Sequence, residues 1–183
     1  MNLVLRPAED CVFLTGSAGT GKTLMLSEAL KMKLSKLKSR GIDVKIFVTT
    51  FHEYTKLLDK YREHYLVNIE NILFTGIEQL CHDLNIQITW YEPQSTLNNV
   101  VRSLSDKYRD SVVLLLCDEV RTRSSTDWSK LKTCHNVIWL MAINLRSSLV
   151  GSDGTMKIVP PTSDDVFSQQ LRVKYRNCFQ IRK

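Results

Sequence analysis

Eight consecutive residues, Gly16-Ser17-Ala18-Gly19-Thr20-Gly21-Lys22-Thr23, carry the most specific chemistry in the chain. They satisfy G-x-x-x-x-G-K-[ST] in full and hold three of the seven glycines. Glycines let the backbone curl so that its N–H groups point inward at phosphate oxygens. A helix that begins inside the motif turns its unsatisfied N–H groups and positive dipole end to the same oxygens. Lys22 is placed to reach β- and γ-phosphates, and the Thr23 hydroxyl to ligate Mg²⁺. All eight residues are therefore candidates for holding a nucleotide.

A second group sits far downstream. The run Val112-Val113-Leu114-Leu115-Leu116-Cys117 ends in Asp118-Glu119. An apolar strand that delivers two carboxylates at its C-terminal end places them where ligands bind in open α/β sheets. Asp118 would hold Mg²⁺ through water, and Glu119 would orient and deprotonate an attacking water. Apolar strands often end in acids, so this pair gains its meaning from the loop upstream.

The elements that must position these residues are legible in the hydrophobic pattern. Val12–Thr15 reads as a buried strand running into the glycine loop. Lys22–Arg40 reads as a helix, with Leu26, Leu30, Leu34 and Leu37 on one face and Gly41 as its stop. Val44–Val48 is a second strand and Thr50–Tyr65 a second helix, opened by the capping-box pattern Thr50-Phe51-His52-Glu53. Ile72–Phe74 is followed by the same pattern at Thr75-Gly76-Ile77-Glu78. Ile86–Trp90 reads as a minor strand, and the polar stretch Gln94–Asn99 leads into a helix through Leu104 and Tyr108. Val112–Cys117 and Val137–Ile143 are central strands, Trp128–Leu131 a short helical piece, and Val166–Asn177 a last helix. Strands alternating with helices imply an α/β domain with a mainly parallel sheet. The texture changes after Asn144, which divides the chain into a core over 1–150 and a loop-and-helix extension over 151–183.

Composition narrows the class. A chain of 183 residues, 43% hydrophobic, supports one full-sized domain with a real core. No apolar run approaches the roughly 20 residues that span a bilayer, and no secretory pattern opens the chain. The expectation is a soluble, intracellular protein, cytoplasmic or nuclear, with no membrane partner. The net charge of +6 permits binding to a polyanion without establishing it. The five cysteines are scattered and lack C-x-x-C, which reads as reduced, mostly buried thiols rather than a disulfide framework or zinc site.

The order of segments resembles superfamily 1 helicases of the UvrD/Rep-like type. It runs Gly-Ser-Ala-Gly-Thr-Gly-Lys-Thr, then Val48-Thr49-Thr50-Phe51, then a strand ending Asp118-Glu119, then Gln170-Leu171-Arg172-Val173-Lys174-Tyr175-Arg176-Asn177. The resemblance covers the first of that family's two motor cores and implies a three-layer, RecA-like P-loop NTPase domain that binds ATP and Mg²⁺. It implies that Arg176 reaches the γ-phosphate as a second catalytic candidate beside Glu119. It also implies that Thr50 and Phe51 lie near single-stranded nucleic acid. The simpler reading of those two is a helix cap and a core aromatic. The implied partners are a nucleotide, weakly bound single-stranded nucleic acid, and a second RecA-like core in cis or in trans. Where the family follows Asp-Glu with Ala-Gln, this chain has Val120-Arg121, and its next strand ends Ala142-Ile143-Asn144 in place of Gly-Asp…Gln. Two functions follow: a weak ATPase of helicase-like type, or a nucleotide-binding switch without productive turnover.

Overall fold

The computed structural model describes residues 11–51, 55–120, 122, 126–144, 158–161 and 166–171. Six strands form one sheet in the order β3-β2-β4-β5-β1-β6. They are β1 (Cys11–Gly16), β2 (Val44–Thr50), β3 (Ile72–Gly76), β4 (Val112–Val120), β5 (Val137–Asn144) and β6 (Val166–Leu171). Every pairing is parallel, so all six C-terminal ends lie along one edge. Parallel strands need crossovers: α1 (Lys22–Lys38) links β1 to β2, α2 (Thr55–Lys60) lies between β2 and β3, and α3 (Ile77–Asp83) and α4 (Pro93–Lys107) link β3 to β4. Among the described residues, no helix is long and apolar enough to cross a membrane.

The sheet is buried on both faces, which makes the fold three-layered. Side chains alternate along each strand and feed two separate clusters. One holds Phe13, Leu115, Cys117, Trp139 and Met141 with α3 and α4. The other holds Leu14, Leu114, Leu116, Leu140 and Ala142 with α1 and the α2 region. The expected α/β class with a mainly parallel sheet is what the chain adopts. Leu26, Leu30, Leu34 and Leu37 are buried along α1 as their spacing requires. The helix ends at Lys38, where Ile42 N–H returns to the Leu37 carbonyl and Gly41 takes a φ of 70°.

Several local expectations are corrected. Val166–Leu171 is a strand, not the start of a helix, and it pairs with β1 from Cys11↔Val166 to Gly16↔Leu171. The open side of β1 offers a row of N–H and C=O groups, and that ladder outweighs local helical preference. The sheet thus reaches past residue 150, while 172–177 lie outside the described residues. Ile86–Trp90 is not a strand: the Thr89 N–H donates to the Thr96 side-chain oxygen of α4 at 2.9 Å rather than to a neighbouring strand. Helix α4 starts at Pro93, ahead of the polar stretch, since proline suits the first helical position. Neither capping box closes a helix as read. Thr50 belongs to β2, and Gly76, not Thr75, precedes α3 without a side-chain cap. His52 and Glu53 lie outside the described residues.

Candidate functional site

Strand β1 ends at Gly16, and the chain turns at once into the glycine loop. Gly19 and Gly21 take φ values of 85° and 86°, a region that residues with a Cβ rarely enter. Gly16 is needed for a different reason. A Cβ there would stand 2.7 Å from Thr20 Oγ1 and 2.8 Å from the Leu171 carbonyl oxygen. The loop closes on itself: the Thr20 hydroxyl donates to the Ser17 carbonyl at 2.9 Å. Lys22 folds back inside, donating from Nζ to the Gly16 carbonyl at 2.9 Å and the Ser17 carbonyl at 3.0 Å. Ala18 is exposed at the tip of the loop. Gly21 caps α1, whose first turn carries no acid, so its positive end has no carboxylate of its own to meet.

The acid strand arrives from two strands away. β5 separates β1 from β4, yet α1 starts at the end of β1 and crosses over β5 and β4. The loop between Gly16 and Lys22 spans the gap, so the first turn of the helix meets the end of β4. The Thr23 hydroxyl donates to Asp118 Oδ2 at 2.7 Å. With its hydrogen committed there, the lone pairs of Thr23 Oγ1 remain for a cation. Asp118 is fully buried, and its other oxygen accepts the Glu119 N–H at 2.7 Å.

Glu119 owes its position to a bulge. Cys117 faces Met141 and Val120 faces Ile143, so three steps along β4 match two along β5. Glu119 sits in the extra step with a φ of 53°. For a residue with a side chain that conformation costs roughly 1–3 kcal/mol. Regular alternation would have sent Glu119 to the face of Leu115 and Cys117, into apolar core. Val120 takes that place instead, and Glu119 stays half-buried at the carboxyl edge. Its Oε2 accepts from the Asn144 amide, at the end of β5, at 2.9 Å.

The structure therefore brings Gly16–Thr23, Asp118 and Glu119 to one edge. Thr50 lies beside them, paired in register with Asp118 at the end of β2. Phe51 does not face a ligand: it is buried in the cluster with Ile77, Leu80 and Cys81, as its simpler reading required. Arg176 lies outside the described residues. Two site residues escaped the sequence reading. Tyr61 donates its hydroxyl to Asp118 Oδ2 at 2.7 Å, and burial, with the Asp118 charge adding, pushes its phenol well above the ordinary value. Asn144 was visible only as a departure from the family pattern, yet its amide holds Glu119. Nothing in residue spacing pointed to Tyr61, which reads as one more apolar position of a helix.

This is a P-loop NTPase fold. Among the described residues, no group of three or more His, Cys, Asp or Glu is placed to hold a metal. The Thr23 hydroxyl and the Asp118 carboxylate, joined at this edge, suit a hard cation that keeps waters and shares phosphate oxygens, as Mg²⁺ does. Together with a loop that only glycines can form, they fit a nucleotide with Mg²⁺.

No protein-family model and no curated protein matches the chain. Solved structures similar to it include the Pif1 helicase from Candida albicans, with 16% identity and a TM-score of 0.41 over 96% of this chain and 41% of that one. EssC (ATPases 2 and 3) from Geobacillus thermodenitrificans is similar at 11% identity and a TM-score of 0.40, over 95% of this chain and 34% of that one. A de novo designed protein of P-loop NTPase fold shares 9% identity, with a TM-score of 0.30 over 76% of this chain and 85% of that one. The chain thus spans less than half the length of the two natural proteins.

Proposed function

We propose that this chain binds Mg·ATP at the carboxyl edge of β1 and β4 and hydrolyses it slowly. The observation that carries the reading is the 2.7 Å hydrogen bond between Thr23 and Asp118. It joins a phosphate-type loop to an acid strand, so one position can meet phosphate donors and cation ligands together. In this reading the backbone N–H groups of Gly16–Thr23 and the Lys22 ammonium hold the phosphates. Thr23 and Asp118 hold the Mg²⁺, Asp118 through water. When bound, the cation neutralises charge on the phosphate oxygens. Glu119, oriented by Asn144, accepts a proton from the attacking water.

Calorimetry with ATP and Mg²⁺ tests this directly. Lys22→Ala removes the charge facing the phosphates and should abolish or greatly weaken binding. Equal affinity in the two proteins would overturn the reading.

The order of motifs further supports a helicase-like setting, in which a second RecA-like core, in cis or in trans, closes over the nucleotide. In other NTPases an arginine supplied to the transferring phosphate is worth roughly 10³–10⁵ in rate. By that reasoning residues 1–183 alone hydrolyse slowly and do not unwind a duplex, and single-stranded nucleic acid binds weakly and in a salt-dependent way. ATP-dependent strand displacement by this chain alone would refute its dependence on a second core in cis. Measured ATP binding with no turnover at all would favour the switch over the enzyme.

A further inference from the structure

Asp118 Oδ2 accepts two hydrogen bonds of equal length, one from Thr23 and one from Tyr61, each 2.7 Å. Thr23 belongs to the phosphate loop. Tyr61 belongs to a separate element: it begins a π-helical turn, Tyr61–Tyr65, that extends α2. The Leu66 N–H returns to the Tyr61 carbonyl, five residues back, at 2.8 Å. Such widened turns are rare and gather at functional sites.

The Tyr61 ring is fully buried, in the same apolar cluster as Leu58, Leu66 and Leu116. Phenylalanine would fill that space equally well. A buried hydroxyl costs roughly 1–3 kcal/mol unless it is bonded, and the bond it makes goes to the one buried carboxylate of the site. With the Glu119 N–H on Oδ1, three donors among the described residues surround Asp118 and occupy three of its roughly four acceptor positions. That remaining position is the one through which the carboxylate can take a water of a bound cation.

We propose that Tyr61 is a positioning residue for the cation half of the site. It pins the Asp118 carboxylate in the rotation from which Asp118 and Thr23 together receive Mg²⁺. This rests on the Mg·ATP reading above. The hydroxyl acts on the carboxylate and not on the loop, so it governs the Mg²⁺ requirement rather than the grip on phosphate.

The experiment is a Mg²⁺ titration of ATP binding, read by calorimetry, with parallel affinities in EDTA and parallel thermal melts. Tyr61→Phe keeps the ring and deletes the one oxygen. It should raise the Mg²⁺ midpoint about 10-fold or more, the scale on which groups that orient metal ligands act, and leave affinity in EDTA unchanged. Tyr65→Phe, on the same turn, should leave both unchanged. In an Asp118→Asn background, Tyr61→Phe should produce no further shift, because the residue acts through that carboxylate. A merely structural tyrosine would lower the melting temperature without moving the midpoint, and that result overturns the proposal. So does a full shift that persists in Asp118→Asn. If the wild-type chain binds no ATP with or without Mg²⁺, the nucleotide reading fails and takes this inference with it. Normal Mg·ATP binding with an indifferent Tyr61→Phe overturns this inference alone.

Discussion

Thr23 and Asp118 are 95 positions apart in sequence and 2.7 Å apart in space, joined across an intervening strand that carries neither. The contact exists because the loop between Gly16 and Lys22 carries the chain from the end of β1 across the gap left by β5, so that α1 begins beside the end of β4. It makes the loop and the acid strand a single unit, so a change at either end should be felt at the other.

Thr23→Val keeps the shape of the side chain but removes the hydroxyl from Asp118. The expected result is a loss of about 10-fold or more in Mg²⁺-dependent ATP affinity, with affinity in EDTA little changed. Thr23→Ser should restore most of the loss. Calorimetry at matched Mg²⁺ concentrations checks it, and Thr23→Val binding Mg·ATP like wild type would refute the role.

Glu119→Gln should preserve Mg·ATP binding while removing whatever hydrolysis exists, since the amide cannot accept the proton of the attacking water. Asn144→Ala, which frees the same carboxylate, should lower turnover without changing nucleotide affinity. Phosphate release under single-turnover conditions measures both. Unchanged turnover in Glu119→Gln would show that another group is the base.

Gly16→Ala tests the cradle through stability rather than binding. The added methyl meets Thr20 Oγ1, which can rotate, and the Leu171 carbonyl, which cannot move without shifting β6. Overpacking of this kind costs about 1–3 kcal/mol. The melting temperature should fall by roughly 2–4 °C per kcal/mol in a chain of this size, and ATP affinity should fall with it. A melt superimposable on wild type would mean the loop has room that its contacts deny.

Cys117, on the acid strand, and Cys81, on α3, are both buried. Burial pushes the Cys81 thiol up to about 11, and it pushes Cys117 up further, with Asp118 and Cys81 adding to the effect. Both should resist iodoacetamide at pH 8 in the folded protein, whereas the half-buried Cys134 should react, as read by mass spectrometry of each peptide. The unfolded chain loses these protons from about pH 8.5, before the folded chain does. Their contribution to stability is therefore full below about pH 8.5 and declines as the pH rises toward 11. Cys81→Ala should flatten part of that decline in urea midpoints measured across the range.

The glycine loop was legible from residue types alone, because glycine readily takes the φ values of 85° and 86° found at Gly19 and Gly21, and the spacing of Lys22 and Thr23 is that of the G-x-x-x-x-G-K-[ST] pattern. The buried strands were equally plain, since strands covered on both faces read as continuous apolar runs such as Val112–Cys117. Periodicity also placed the leucine face of α1. What local sequence could not determine is pairing. Val166–Leu171 became a strand because β1 offered it a ladder, whereas in Ile86–Trp90 the Thr89 backbone bonds to the Thr96 hydroxyl of α4 instead. The surroundings of Asp118 and Glu119 were tertiary decisions too. Tyr61 looks like any apolar helix position until a widened turn carries its hydroxyl to a carboxylate 57 residues away, and Asn144 meets Glu119 only because β4 bulges beside β5. Local propensity acts over a few residues, whereas a buried carboxylate takes its hydrogen-bond partners from whatever the packed sheet and helices bring within reach.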